Sequence, residues 1–280
     1  MIQAQMNSEQ TPRISKEGFE QISKYVNRTY GINLSEAKQN LVENRLFKRL
    51  RFLRMSTYAQ YIRHIFEPTG KQELDLLCDF LSTNKTYFYR EPAHFHFLQD
   101  LLKHAPADKS WKVWSAASSA GDEAYTISCI FEDVLKAKPL QYSILGTDIS
   151  KRMIDEARAG IYPHQRINLL PSHLTKTYFN KTEDDKKQQI YSARPVILKN
   201  VRFQQFNLIK DILGLNEKFD IIFCRNVLIY FKEEMKQQVV KDLISKLNPG
   251  GYLMLGHCEG MLCRNTGLKQ VGPAIFLNEK

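Results

Sequence analysis

Residues 220–231 read DIIFCRNVLIYF, which sets Arg225 and Asn226 at the end of a run apolar enough to be a buried strand. The same arrangement occurs three more times. WKVWSAA runs into SSAGDEAY, which carries Glu123; YSILGTD ends on Asp148; VRFQQFNL ends on Asn207. Any one of these polar residues is an ordinary cap or turn residue. Together, at four successive strand ends, they describe a ligand site, because α/β sheets bind their ligands beyond the C-terminal ends of the strands. Glu123 suits a cationic group and Asp148 suits ribose hydroxyls. Arg225, or Arg90 earlier in the chain, suits a carboxylate.

The loop after the first of these strands holds one glycine, Gly121, and not the G-x-G-x-x-G that lets a backbone approach a pyrophosphate. The G-x-x-x-x-G-K-[ST] loop of nucleoside triphosphate enzymes is also absent. A ligand with a ribose but no phosphate points to S-adenosylmethionine.

The elements that must position these residues follow from periodicity. From about residue 111, short apolar runs alternate with amphipathic stretches. DEAYTISCIFEDVLK and SKRMIDEARAG read as helices, the second closing on a glycine cap. KEEMKQQVVKDLISKLN is a third, ended by Pro249-Gly250-Gly251 ahead of the strand YLMLG, and LKQVGPAIFLNE closes the chain as a hairpin. This alternation predicts a parallel sheet covered on both faces. Between Gly160 and Val201 the rhythm breaks. LTKTYFN and QIYSARPVIL, read as strands around the charged NKTEDDKKQQ, predict a small antiparallel insertion at about 161–201 on the edge of the sheet.

The segment before residue 80 is helical throughout. ISKEGFEQISKYVNRTYG places Phe19, Ile22 and Val26 at helical spacing and stops at Gly31. A second helix starts at a capping signal, Ser35 then Glu36. Val42, Leu46, Leu50 and Leu53 share one of its faces, Lys48 and Arg51 point away, and Arg45, Arg49 and Arg54 flank them. TYAQYIRHIF and KQELDLLCDFLST are two more amphipathic helices. The expected organisation is therefore an N-terminal helical domain over 1–85 and an α/β domain over 86–280.

Composition bounds the function. At 43% hydrophobic and 25% charged, the chain has the make-up of a soluble protein. Neither a signal-peptide core nor an apolar run of membrane-spanning length is present, and the five scattered cysteines form no C-x-x-C pair, so a cytoplasmic protein with reduced thiols is expected. His257, Cys258 and Cys263 match no common zinc spacing, so no metal is expected. The net charge of +10 asks for an acidic partner without saying which.

One stretch is more specific. STNKTYFYREPAHF resembles the T-x-N-x-T-x-F-x-R-x-x-x-H-F signature of the chemoreceptor glutamate methyltransferases, the CheR family, with Thr83, Asn84, Thr86, Phe88, Arg90, His94 and Phe95 in register. WSAASSAGDEAYTI, GTDIS, FNL, FCRNVLIYF and LNPGGYLMLGHCE match in the same order, so the resemblance spans nearly the whole chain. It implies a Rossmann-like methyltransferase domain with an antiparallel β-insertion, preceded by an all-α domain. It also implies methyl transfer from S-adenosylmethionine to glutamate side chains of methyl-accepting chemotaxis receptors, the adaptation step of bacterial chemosensory signalling. By matching position it implies cofactor contacts at Asn84, Thr86, Arg90, Glu123, Asp148, Asn207, Leu208, Arg225 and Asn226. Arg90 and Tyr230 fall where the family places residues close to the reacting methyl.

The match has departures. Asp122 and Ala124 stand where the family often has Glu and Pro, Ala117-Ser118-Ser119 where Cys-Ser-Thr is common, and Cys258 where Ser is frequent. The basic positions Arg45, Lys48, Arg49, Arg51 and Arg54 are expected to face acidic receptor helices. The resemblance also offers the β-insertion as a seat for a receptor C-terminal peptide, as in some relatives; its own residues do not decide that. Two other classes are compatible with the charge or the fold. A base methyltransferase would carry D/N-P-P-Y/F where this chain reads CRNV, and no window interleaves aromatic with basic residues, so no nucleic acid is expected. A non-catalytic module keeping the fold is the other. A monomer is the default.

Overall fold

The computed structural model of the chain describes residues 12–280. It divides into two compact units, Met1–Ser82 and Thr83–Lys280.

The first unit is helical. Helix α1 (Lys16–Tyr30) begins where the Ser15 side chain accepts a hydrogen bond from the Gly18 amide, and ends at Gly31 with φ 75°. Its buried face is Phe19, Ile22 and Val26, as the spacing requires. Helix α2 (Gln39–Phe52) does not start at Ser35 as expected. A 3-10 turn over Glu36–Lys38 comes first, and the Ser35 side chain makes no capping bond. Helices α3 (Tyr58–Phe66) and α4 (Lys71–Leu81) follow, α3 opening on a reciprocal capping box between Thr57 and Gln60.

Two of the five basic residues on α2 and the turn after it differ from the expectation of a free charged face. Arg45 donates to the carbonyls of Leu81 and Ser82 at 2.6 and 3.0 Å, closing the C-terminal end of α4. Arg49 makes a two-pronged pair with Glu73 at 2.8 and 2.6 Å. Both are internal struts because they lie on the flanks of the helix, within reach of its neighbour. Lys48, Arg51 and Arg54 remain exposed.

The second unit opens with a helix the sequence had not marked, α5 (Pro92–His104), started by its proline. Strand β1 (Ser110–Ala116), helix α6 (Asp122–Leu135), strand β2 (Gln141–Asp148) and helix α7 (Lys151–Ala159) follow in alternation. The insertion contains β3 (Ile161–Pro163), α8 (His164–Ile167), α9 (Ser172–Tyr178), β4 (Phe179–Glu183), β5 (Gln189–Ala193) and α10 (Pro195–Leu198). The chain then returns through β6 (Val201–Gln205), β7 (Phe219–Cys224), α11 (Glu233–Ser245), β8 (Leu247–Leu255), β9 (Lys269–Gly272) and β10 (Ile275–Leu277).

Seven strands form one sheet in the order β6-β2-β1-β7-β8-β10-β9. The first five are mutually parallel; β10 pairs antiparallel with β8, and β9 pairs antiparallel with β10. Side chains alternate between faces. Trp111 and Val113 of β1, with Ile221 and Phe223 of β7, join the core under α5 and α6. Trp114, Ala116, Ile222 and Cys224 join the opposite core under α11. From β1 the chain builds outward to β2 and β6, then crosses back to β7 and β8. The topological switch point thus lies between the ends of β1 and β7, where this fold class binds ligands.

The insertion is antiparallel as expected, but it is a separate three-stranded sheet, β3-β5-β4, rather than an extension of the main sheet's edge. LTKTYFN is also mostly helical: Leu174 and Tyr178, four apart, form the buried face of α9, and only Phe179 onward is strand. PVIL is helical too, because Pro195 cannot donate to a ladder and fits a first helical turn. Finally, Pro249-Gly250-Gly251 does not precede β8 but lies inside it. Phe219 pairs with Leu247 and Ile221 with Tyr252, so the extra residues bulge out, with Gly250 at φ 73°. Among the described residues, no helix is long and apolar enough to cross a membrane.

Candidate active site

The loop after β1 folds back on itself. Ala117, Ser119 and Gly121 all have positive φ, at 63°, 50° and 89°. Two of these are not glycine, a strain that persists only where surrounding contacts over-determine it. The Ser118 amide donates to the Thr147 carbonyl at 2.7 Å and the Ser119 amide to Asp148 Oδ2 at 2.9 Å. A Cβ on Gly121 would meet Ala157, Phe203 and Tyr162 at 3.0–3.1 Å, so the turn also packs closely from behind. Asp148 Oδ1 accepts from the Ser150 amide at 2.9 Å, and its backbone carbonyl accepts from Phe206 at 2.8 Å. This last bond brings the end of β6, and Asn207 with it, beside Asp148.

Asn207 is shaped by its own turn: its amide donates to Asp211 at 2.7 Å and its Oδ1 accepts from the Ile209 amide at 3.1 Å. Leu208 is buried in the core under α11. Asn84 reaches the same loop through its carbonyl, which accepts from the Ser119 hydroxyl at 3.4 Å.

Across the switch point lies a charged cluster. The Arg225 side chain is 2% exposed and pairs with Glu123 at 2.9 Å and Glu91 at 3.0 Å. It also donates to the Arg90 carbonyl. Glu123 accepts from the Ser115 hydroxyl at 2.7 Å, and Glu91 accepts from the Asn226 amide group at 3.0 Å. Burial opposes the charge on Glu91, but the Asn226 bond and the Arg225 guanidinium outweigh it and hold the carboxyl below the usual range. Asn226 adopts φ 58°. It is fixed from below by Glu259, which accepts from the amides of Asn226, Gly256 and Ile229 at 2.7, 2.9 and 3.2 Å. Burial pushes the Glu259 carboxyl up against those bonds. A Cβ at Gly256 would sit 2.6 Å from Glu259 and 2.8 Å from Asn226, so only glycine fits there.

Arg225 is therefore committed to protein carboxylates. Arg90 is not: it is half-buried, touches the Lys85 carbonyl at 3.1 Å, and lies 5.6 Å from the centre of the Tyr87 ring. Thr86 is half-buried on the same segment, and Tyr230 is half-buried on a 3-10 turn over Leu228–Tyr230. Among the described residues, neither side chain is hydrogen-bonded to the two clusters. The charged cluster holds one arginine between two carboxylates, a surplus of one negative charge that suits a cationic ligand.

Two members of this arrangement escaped the sequence reading, Glu91 and Glu259. Each stood inside a quoted motif, YREPAHF and GHCE, but nothing local marked its partner. The structure also explains one departure. Asp122 is fully buried and its two oxygens bind Arg166 of α8, tying the cofactor-side loop to the insertion.

The switch-point strand order, the acidic residue at the end of β2 and the phosphate-free first loop define a Rossmann-like S-adenosylmethionine-dependent methyltransferase. Residues 84–275 match the family described as CheR methyltransferase, SAM binding domain, and residues 17–82 match its all-alpha domain. The chain belongs to the CheR methyltransferase family. A chemotaxis protein methyltransferase of Borreliella burgdorferi is 36% identical over 272 residues, covering 94% of each chain. Chemotaxis protein methyltransferase 2 of Pseudomonas aeruginosa is 32% identical, covering 94% of this chain and 93% of its own. That of Vibrio parahaemolyticus is 35% identical, covering 91% and 92%.

Proposed function

We propose that this protein methylates glutamate side chains of methyl-accepting chemotaxis receptors in the cytoplasm, leaving glutamate methyl esters. The observation that carries this reading is the pair of clusters flanking the switch point: Asp148 beneath the strained β1 loop, and Arg225 locked between Glu91 and Glu123. Asp148, held by the Ser119 and Ser150 amides, is the acceptor for ribose hydroxyls. Glu123 and the surplus negative charge receive a cation, and Asn84, Thr86, Asn207, Leu208 and Asn226 complete the wall. Because Arg225 is already paired, Arg90 is the arginine left to bind a carboxylate.

When bound, S-adenosylmethionine supplies a methyl group on a sulfonium, whose sulfur keeps the bond pair as S-adenosylhomocysteine leaves. The chain's own work is positional. A glutamate carboxylate, with a reference pKa of about 4.3, is already ionised near pH 7, so no residue must take a proton. With the cofactor bound, a carboxylate oxygen held in line would take the methyl as the S–C bond breaks, and charge would balance without a base. Arg90 orients the carboxylate, Tyr230 bounds the methyl pocket, and the barrier falls through in-line placement and loss of hydration. The exposed charges Lys48 and Arg51 of α2, and Arg54 in the turn that follows it, speed encounter with acidic receptor helices.

Calorimetric titration with S-adenosylhomocysteine tests the site. One equivalent should bind, and Asp148→Ala should weaken it by roughly the 10-fold or more that loss of a charged hydrogen bond brings. Unchanged binding in that variant would remove Asp148 from the site.

A further inference from the structure

The transfer makes no use of two histidines beside Glu91. Glu91 Oε2 lies 3.7 Å from His94 Nδ1 and 3.9 Å from His257 Nε2, and the three donor atoms lie within 4.8 Å of one another. His94 is fully buried, and its Nδ1 has no hydrogen-bond partner. Its other nitrogen, Nε2, lies 2.9 Å from the Pro273 carbonyl oxygen. A carbonyl only accepts, so Nε2 carries the ring proton and Nδ1 presents a bare lone pair. Nδ1 lies 3.7 Å from Glu91 Oε2, which is itself an acceptor, so no proton of either group joins them.

We propose that Glu91, His94 and His257 form a binding site for a late first-row divalent cation, with Zn2+ the type ligand. Two imidazoles and one carboxylate are a zinc donor set that leaves one position open. Donors on a tetrahedral zinc sit ~3.4 Å apart for bonds near 2.1 Å, so the observed separations need only modest closure. The His94 bond to Pro273 is the outer-sphere contact that fixes a ligating imidazole's tautomer and direction. Glu91 Oε2 gives one lone pair to Arg225 and retains another. His257 is 47% exposed and lines a cleft with Met261, Arg264 and Pro273, which supplies the entry path. Mg2+, which prefers six oxygen ligands, does not suit this set.

The test is direct binding to tag-free protein stripped with chelator, titrated with Zn2+ in competition with a chromophoric chelator and with Co2+ to follow its visible d–d bands. One equivalent of either ion should bind, and excess Mg2+ should not displace it. His257→Ala should weaken Zn2+ binding by roughly 10-fold or more. Thermal melting and S-adenosylhomocysteine binding should be unchanged in that variant, showing an intact fold. Cys258→Ser should bind as the parent does. Failure to bind one equivalent, retention of affinity in His257→Ala, or its loss in Cys258→Ser would each overturn the proposal.

Discussion

At the scale of single residues, the two arginines of the site do different work. Arg225 is enclosed, and its partners are two carboxylates that would face each other without it. Removing one partner of a buried charge set costs about 3–5 kcal/mol. Arg225→Ala should therefore lower the midpoint of chemical denaturation sharply and abolish S-adenosylhomocysteine binding. Arg90 is only half-buried, and the one hydrogen bond its side chain makes is to a carbonyl. Arg90→Ala should leave thermal stability near that of the parent while methyl transfer falls by roughly 100-fold, the loss typical of one lost electrostatic contact at a reacting group. Full transfer in Arg90→Ala would remove it from the mechanism. Legibility differed in the same way. Arg225 and Asn226 were visible because they interrupt an apolar run. Glu91 was not, because the arginine that gives it meaning lies 134 residues further along.

At the scale of elements, what was legible was the buried strand. A parallel strand covered on both faces must be apolar along its length, so its polar end stands out. The insertion was harder. Thr, Tyr and Phe in LTKTYFN favour strands, yet packing of Leu174 and Tyr178 on one face makes the segment helical. The β1 loop yields a prediction of its own. At Gly121 the backbone is left-handed and the space behind it is filled, so Gly121→Ala should cost about 1–2 kcal/mol from conformation alone. Denaturant titration should show that loss, with weaker cofactor binding alongside. Helix α2 yields another. Arg49→Ala should destabilise the helical unit by breaking the Glu73 pair, whereas Lys48→Glu with Arg51→Glu should melt like the parent. The double variant should slow transfer to receptor several-fold at low salt, and added salt should narrow the difference. Equal salt dependence in parent and variant would return that face to the role of a solvated helix surface.

At the scale of the whole molecule, a chain of net charge +10 carries an all-α unit and a methyltransferase unit, and the proposed function has it meet acidic receptor helices. At the end of β7, Arg225 pairs with Glu91 and Glu123, the Asn226 side chain bonds Glu91, and the Asn226 backbone amide bonds Glu259. The central claim is the chemical nature of the product. Purified protein should be incubated with methyl-labelled S-adenosylmethionine and membranes rich in chemoreceptors, and the receptor band treated with alkali. Carboxyl methyl esters release volatile methanol in base and methylated amines do not. Base-labile counts on the receptor, absent with Arg90→Ala, are the predicted result. Label that resists alkali, or label on nucleic acid instead of receptor, would contradict the assignment.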